Sequence, residues 1–272
     1  MKMSFVLICA LLSCLLATAG SVAQSPEKAE TVSPQKSIPA ATSGGAGKIS
    51  TTQVAVAPSA RILITSATTP MELARAAYVA QGGDKFRDLK SMVLSGSVDL
   101  YAPNSVQSLP GKFVIVTAGE RSRIEIQSPV FTYRQISDGV RTFTSVPQME
   151  LPPPSKFGIN VLMKYDQPGY IVTALPDDKT QRAFRISDTE GNTTEFFVDR
   201  ETGRVMSFLI PYKGYTLGVE NKTLKEVDGV LVPYSFVQRL ELQQGAFFAE
   251  YKVKDVKLDQ PFTDDVFEIP EK

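Results

Sequence analysis

The sequence predicts a mainly β protein of the α+β class. In this fold, a single large curved antiparallel sheet forms an unclosed β-barrel, and an N-terminal helix lies over it as a lid. Beyond residue 90, apolar residues recur at every second position in one segment after another, with short turns between them. Before residue 90, only one segment has a strong helical pattern. One helix cannot cover a sheet built from roughly 200 residues, so the sheet must curve over its own apolar face.

The helix is predicted to begin after Thr69. Thr69 is a suitable N-cap, Pro70 suits the first helical position, and Glu72 lies where the helix dipole favours a negative charge. Gly82-Gly83 ends the helical pattern. The residues expected to face the core are Met71, Ala74, Ala77 and Tyr78.

The first strand is predicted from Met92 to about Tyr101, because its even positions are apolar or small and most odd positions are polar. Asp138-Gly139 predicts a hairpin between two further strands. Near the C-terminus, the apolar parity switches between Val253 and Val256, which indicates a β-bulge. Other strands are predicted over residues 112–117, 121–126, 171–175, 183–188, 194–198, 204–210, 215–226, 230–242 and 247–258.

The middle of the chain is less regular. Pro152-Pro153-Pro154 forces an extended break, and residues 156–165 are compatible with either a helix or a strand.

The N-terminus has the order of an export signal. Lys2 gives a positive start, residues 5–19 are apolar and uncharged, and Ser21-Val22-Ala23 supplies small residues for cleavage. A linker rich in Ser, Pro and Ala follows, with too little apolar surface to fold. We therefore predict a signal peptide over residues 1–23, a flexible linker over 24–66 and one domain over 67–272.

Two alternatives remain for the N-terminus of the mature chain. Cleavage after Ala23 is one alternative. The other is lipidation, because Leu11-Leu12-Ser13-Cys14 resembles a bacterial lipobox. The first gives a periplasmic protein, and the second gives one anchored to the outer membrane.

Composition excludes several classes of function. The chain has no histidine, and its two cysteines, Cys9 and Cys14, both lie in the signal segment. Disulfides, thiol catalysis and the usual zinc sites are therefore not expected in the mature domain. The 29 basic and 29 acidic residues balance, so we expect no nucleic-acid binding. Asp177-Asp178 and Asp264-Asp265 are read as turn residues, and we expect no enzyme activity, cofactor or metal.

Several motifs resemble bacterial LolA/LolB-like proteins, a superfamily of lipoprotein carriers. They are Lys90-Ser91-Met92 before the first long strand, Gly111-Lys112-Phe113, and Ile136-Ser137-Asp138-Gly139. The tail adds Phe262 and the run from Asp264 to Pro270. The resemblance covers roughly residues 70–270. The carriers have an arginine at a position that falls near Ala118 and Gly119 here, so this chain does not match the family at that arginine.

The resemblance implies a periplasmic or outer-membrane-associated carrier that binds lipid or lipoprotein acyl chains in an apolar concave cavity. Its partners would be the envelope machinery for lipoprotein sorting, and we expect a monomer. The alternative is an envelope scaffold or interaction module that carries no lipid, whose apolar stripes are ordinary core. The residues expected to line the cavity are Met92, Leu94, Val98, Leu100, Ile124, Ile126, Val232 and Phe236.

We predict that the exported protein begins at Gln24, because the small residues before it suit signal cleavage. The intact mass of protein purified from the envelope checks this. A mass that fits an acylated chain starting at Cys14 would contradict it.

Overall fold

The computed structural model describes residues 64–146, 150–177, 179–242 and 245–270. The predicted signal peptide and all but the last residues of the predicted linker lie outside these ranges. The described part is one antiparallel sheet of twelve strands with few helices, so the predicted fold class is confirmed.

The elements follow the predicted order closely. The helices are α1 (Pro70–Gln81) and α2 (Asp84–Arg87), with 3-10 helices at Gly158–Lys164 and Asp264–Phe267. The strands are β1 (Met92–Tyr101), β2 (Ser108–Ala118), β3 (Arg121–Gln127), β4 (Thr132–Ser137), β5 (Thr142–Thr144), β6 (Tyr170–Ala174), β7 (Gln181–Asp188), β8 (Thr193–Asp199), β9 (Val205–Tyr212), β10 (Tyr215–Val227), β11 (Val230–Leu242) and β12 (Gly245–Leu258).

The first and last strands pair in the middle of the sheet. The strand order is β5-β4-β3-β2-β1-β12-β11-β10-β9-β8-β7-β6, so β5 and β6 are the two edges. Among the described strands these edges do not pair with each other, and the barrel is therefore unclosed, as predicted. Inner-face residues from both halves belong to one apolar cluster, which requires the sheet to curve around it.

Helix α1 begins with a complete capping box. The Thr69 amide donates to Glu72 Oε2 at 2.8 Å, and the Glu72 amide donates to Thr69 Oγ1 at 3.3 Å. The prediction for the buried face was right for Ala74, Ala77 and Tyr78. It was wrong for Met71, which is 46% exposed, because the buried stripe is centred one position further along and includes Leu73.

Residues 150–169 join the two edges of the sheet, and we call them the crossover segment. Residues 156–165, whose sequence was compatible with either a helix or a strand, contain the 3-10 helix at Gly158–Lys164. The segment places five buried apolar side chains in the main core: Leu151, Phe157, Val161, Leu162 and Tyr165.

The outer face of β1–β4 has a smaller core of its own. Val116 and Ile136 are buried there against Phe267, which is 2% exposed. Arg123 Nη1 donates to the Val266 carbonyl at 2.9 Å and fixes the tail in this position. The C-terminal residues thus cover one outer part of the sheet.

The first residues described also pack on the domain. Ile64 is partly buried against the core, and both Thr65 and Thr68 accept hydrogen bonds from Arg182 through their carbonyl oxygens. Ile64 and Thr65, which precede the predicted boundary at residue 67, thus contact the domain.

The predicted bulge near the C-terminus is present. Ser95 pairs with Asp255 and Gly96 pairs with Val253, which leaves Lys254 as the extra residue. A Cβ atom on Gly96 would lie 2.0 Å from the Lys252 carbonyl oxygen. Only glycine lets β1 approach β12 this closely.

We predict that Gly96→Ala destabilises the domain by about 1–3 kcal/mol, because the added methyl group overlaps backbone that cannot easily move. Urea unfolding followed by circular dichroism measures the change. Ser95→Ala, next to it in the same strand, is the matched control and should stay within about 0.5 kcal/mol of the wild type. Equal midpoints for the two variants would contradict the close approach.

Candidate functional site

All eight residues predicted to line the cavity belong to the inner face of the sheet and to one apolar cluster. The structure therefore brings together side chains from β1, β3 and β11. Met92 and Leu100 are partly buried, near the two ends of β1. The buried members are Leu94, Val98, Ile124, Ile126, Val232 and Phe236, with exposures from 0% to 8%.

An aromatic cluster extends this inner face. The ring of Tyr251 stacks on Phe236 with centroids 4.5 Å apart, and Phe113 meets Tyr251 edge-on at 4.9 Å. Strand periodicity alone does not single out Phe113, because β2 is apolar on both faces. The pairing of Phe113 with Ile126 across β2 and β3 is the signal that places it on the inner side.

The inner face is covered by two pieces of chain. Helix α1 contributes Leu73, Ala74 and Ala77, all at most 1% exposed. The crossover segment contributes Leu162, which is fully buried, and Tyr165, whose ring lies 5.5 Å from that of Tyr78 on α1. The two pieces thus contact each other as well as the sheet.

Polar contacts tie the crossover segment to the sheet and to α2. The side chain of Gln135 donates to the Leu151 carbonyl at 2.9 Å and accepts from the Leu151 amide at 2.7 Å. The other ties are Gly158 N to Thr194 Oγ1 at 3.0 Å, Lys164 to Glu120 at 2.9 Å, and Asp166 to Arg87 at 2.8 Å.

One further tie is a cluster at the β9–β10 hairpin, which we call the tyrosine cluster: Glu150, Tyr212, Lys213 and Tyr215. Tyr212 donates to Glu150 Oε1 at 2.5 Å, and Lys213 Nζ donates to the same oxygen at 2.9 Å. The Tyr215 hydroxyl donates to the Glu150 carbonyl oxygen. Strand periodicity does not predict this cluster, because Glu150 lies in an irregular stretch 62 residues before Tyr212.

The hairpin turn positions these groups. Lys213 and Gly214 both have positive φ angles, 45° and 83°, as a two-residue turn that matches the strand twist requires. This turn sets Tyr212 directly opposite Tyr215, with ring centroids 5.6 Å apart. Both tyrosines pack against the inner-face cluster, so the tyrosine cluster lies at one end of the apolar face.

The electrostatics of the tyrosine cluster favour a charged Glu150. Burial opposes ionisation, but hydrogen bonds from Tyr212 and Lys213 outweigh it and hold the pKa of Glu150 below its ordinary value of 4.5. The hydrogen bond to Glu150 raises the pKa of Lys213. Burial, followed by the bond to Glu150, raises the pKa of Tyr212. The cluster therefore holds a carboxylate, an ammonium group and two neutral phenols at pH 7.

A groove of about 590 Å³ opens beside the tyrosine cluster. Tyr212, Lys213 and Tyr215 form one side of it, and Glu241 and Leu242 at the end of β11 form another. Its walls are thus part aromatic, part aliphatic and part charged.

One member of each adjacent carboxylate pair, Asp177 and Asp264, lies in an ion pair. Asp177 faces Arg182 at 2.6 Å, and Asp264 faces Arg121 at 2.6 Å. Asp178 lies outside the described residues. Within the described ranges, no group of three or more Cys, His, Asp or Glu side chains is placed to hold a metal ion. No helix in that part of the chain is long and apolar enough to cross a membrane.

Comparison with known proteins gives similarity in structure only. No protein-family model and no curated protein sequence matches the chain. A LolA superfamily protein from Nitrosomonas europaea is similar to it, with a TM-score of 0.47, 12% identity, and coverage of 71% of this chain and 97% of that one. The LolA name is the one that the sequence resemblance predicted.

Two further solved structures are similar. A DUF1329 family protein from Desulfovibrio piger has a TM-score of 0.46 and 10% identity, over 73% of this chain and 95% of that one. A Vibrio parahaemolyticus domain named for outer membrane lipoprotein sorting has a TM-score of 0.46 and 11% identity, over 72% and 95%.

We predict that Glu150→Gln lowers the free energy of unfolding by about 1–2 kcal/mol at pH 7, because it removes charge-assisted bonds to Tyr212 and Lys213. A carboxylate whose folded pKa is lowered stabilises the protein above its ordinary pKa. That contribution is lost as the pH falls through the lowered pKa, so the difference from wild type should persist above pH 4.5 and shrink below it. Urea unfolding on both sides of this pH measures it.

Glu226→Gln, at an exposed position on β10, is the matched control and should show no such difference at any pH. A Glu150→Gln variant as stable as the wild type at pH 7 would mean that Glu150 does not hold the crossover segment.

Proposed function

We propose that this protein binds the acyl chains of a lipid or lipoprotein on the inner face of its sheet. The observation that carries the proposal is the way this face is covered. In the part of the chain that the structure describes, one helix and one irregular segment lie on this face, and no second sheet packs on it. The predicted acyl-chain site is Met92, Leu94, Val98, Leu100, Ile124, Ile126, Val232 and Phe236.

The cover is suited to exchange with a ligand. The crossover segment is joined to the sheet by separate polar contacts, and the pairs Lys164–Glu120 and Arg87–Asp166 are partly exposed, so each is weak on its own. Its apolar side chains, Leu162 among them, occupy the inner face as an acyl chain would. Replacing Leu162 by a lipid chain would exchange one apolar contact for another at little cost in hydration.

The cargo and location follow from the sequence resemblance to the LolA/LolB-like carriers. We infer export to the periplasm, a role in lipoprotein sorting, and contact with the envelope machinery for that process. The fold suits a carrier of this kind acting as a monomer and without catalysis.

The burial of the predicted residues favours a second candidate. Val98 is 1% exposed and Val232 is fully buried, as expected of an ordinary filled core. In that case the protein is an envelope scaffold or interaction module that carries no lipid. The two candidates differ in the role of a buried inner-face residue, which contacts a bound acyl chain in the first and only packs within the protein in the second.

We predict that Leu94→Ala weakens acyl-chain binding several-fold, because Leu94 would lose its contact with the chain. Native mass spectrometry of the protein from the envelope, followed by titration with a fluorescent fatty acid, measures the binding. Leu94→Ala also costs about 2–5 kcal/mol in stability if the side chain packs as core.

Ile136→Ala is the matched control, because Ile136 is 1% exposed but belongs to the outer cluster under the C-terminal residues. It should lose similar stability and bind fatty acid as the wild type does. Unaltered binding by Leu94→Ala, or no bound lipid and no fatty-acid uptake at all, would favour the scaffold.

A further inference from the structure

The tyrosine cluster has the composition of a site for an organic cation. We propose that Tyr212, Tyr215 and Glu150 bind the ammonium group of an amphiphile whose chain lies on the inner face. The proposal rests on the proposed function and adds the headgroup chemistry of the ligand.

The cluster already holds an ammonium group, supplied by its own chain. Lys213 Nζ lies 2.9 Å from Glu150 Oε1 and 5.2 Å from the centroid of the Tyr212 ring. A cation at this distance from an aromatic face is attracted by the ring as well as by the carboxylate. Glu150 and Tyr212 thus already accept an ammonium group, and the Tyr215 ring lies beside that of Tyr212.

Lys213 can give way to a ligand. Its side chain is 58% exposed and stands on a turn, so its ion pair with Glu150 is weak and its ammonium group can move into water. Glu150 is different, because its side chain is only 28% exposed and is fixed by Tyr212. After exchange, the carboxylate and the two rings remain in place for a second ammonium group.

The position of the cluster requires an amphiphile. Tyr212 and Tyr215 lie on the inner face at the ends of β9 and β10, and the next inner-face residues along these strands are Ile210 and Leu217. The groove of about 590 Å³ beside them gives the headgroup access from solvent. A molecule with its amine at the tyrosines can therefore extend its chain along the apolar face.

The charges at the tyrosine cluster also disfavour anionic headgroups. Two carboxylates, Glu150 and Glu241, lie at or beside the groove, and Lys213 pairs with the first and Arg239 with the second. A fatty acid carboxylate would face repulsion from Glu150 and would have to share Lys213 with it. We therefore expect the order amine, then alcohol, then carboxylate for chains of equal length.

Isothermal titration at pH 7 with dodecylamine, dodecanol and dodecanoate tests this order below their micellar concentrations. The wild type should bind dodecylamine about tenfold more tightly than dodecanol, a ratio that one charge-assisted contact supplies. Glu150→Gln should remove that preference, so that dodecylamine and dodecanol bind with similar affinity. Lys213→Ala should strengthen dodecylamine binding several-fold, because it frees the carboxylate.

Lys222→Ala is the matched control, since Lys222 pairs with Glu220 on the same β10 strand away from the groove. It should bind all three compounds as the wild type does. Circular dichroism of each variant verifies that it is folded. Because Lys213→Ala keeps Glu150 in place, it tests the site even if Glu150→Gln is unstable.

The results separate this inference from the proposed function. Equal affinity for the three headgroups, or no effect of Lys213→Ala, overturns the ammonium site and leaves acyl-chain binding intact. If none of the three binds, ethanolamine at millimolar concentration decides, because a shift of the Tyr212 and Tyr215 NMR signals would support the site without the chain. No shift would overturn both.

Two sources of the amine are then compared. A short-chain phosphatidylethanolamine represents a lipid headgroup, and a lauroylated peptide with one lysine represents a protein amine. Tighter, Glu150-dependent binding of either one identifies the source. Binding of both without dependence on Glu150 overturns the site.

Discussion

The structure depends on one constraint: the apolar inner face of a sheet whose edges do not meet must be covered by something other than the sheet. β5 and β6 lie at opposite edges, and the chain passes from one to the other through the crossover segment. That segment and α1 bury Leu162, Leu73 and Ala77 almost completely. The hydrophobic effect thus fixes the position of the cover, and the polar contacts fix its register.

Helix α1 can cover the inner face because it lies close to the sheet. Ala74 and Ala77 are fully buried on α1, and their small side chains let the helix axis lie near the sheet. A Cβ atom on Gly82, at the end of α1, would lie 2.7 Å from the Gly229 carbonyl oxygen, so the helix ends in contact with the turn between β10 and β11. Gly96 plays the same part inside the sheet, where β1 meets the bulge of β12.

Local patterns were sufficient to predict the strands, the N-cap of α1 and the bulge, because each depends on residues that are near in sequence. The parity switch after Val253 is an example, since the pleat alternates along one strand. The crossover segment was not predictable in the same way. Its proline run gives no periodicity, and Glu150 acquires its role only through Tyr212 and Tyr215, more than sixty residues later.

The candidate site was predictable in part for the same reason. Alternation predicts that Leu94 and Phe236 lie on one face, and both belong to one apolar cluster. Periodicity identifies an apolar face but does not tell whether chain or ligand covers it. The prediction for Met71 failed because a helix stripe read from few residues can be shifted by one position, and Leu73 then takes its place in the core.

The distribution of polar groups gives the inner face a direction. At one end of the sheet, Lys213 and two tyrosines line a groove open to solvent, and Glu150 accepts hydrogen bonds from all three. Along the middle, the buried residues are mainly apolar. Placing a charged headgroup in the middle would leave it without partners, whereas placing an alkyl chain at the tyrosines would leave it in water. An amphiphile that binds this face therefore has one favourable orientation, with its headgroup at the β9–β10 hairpin.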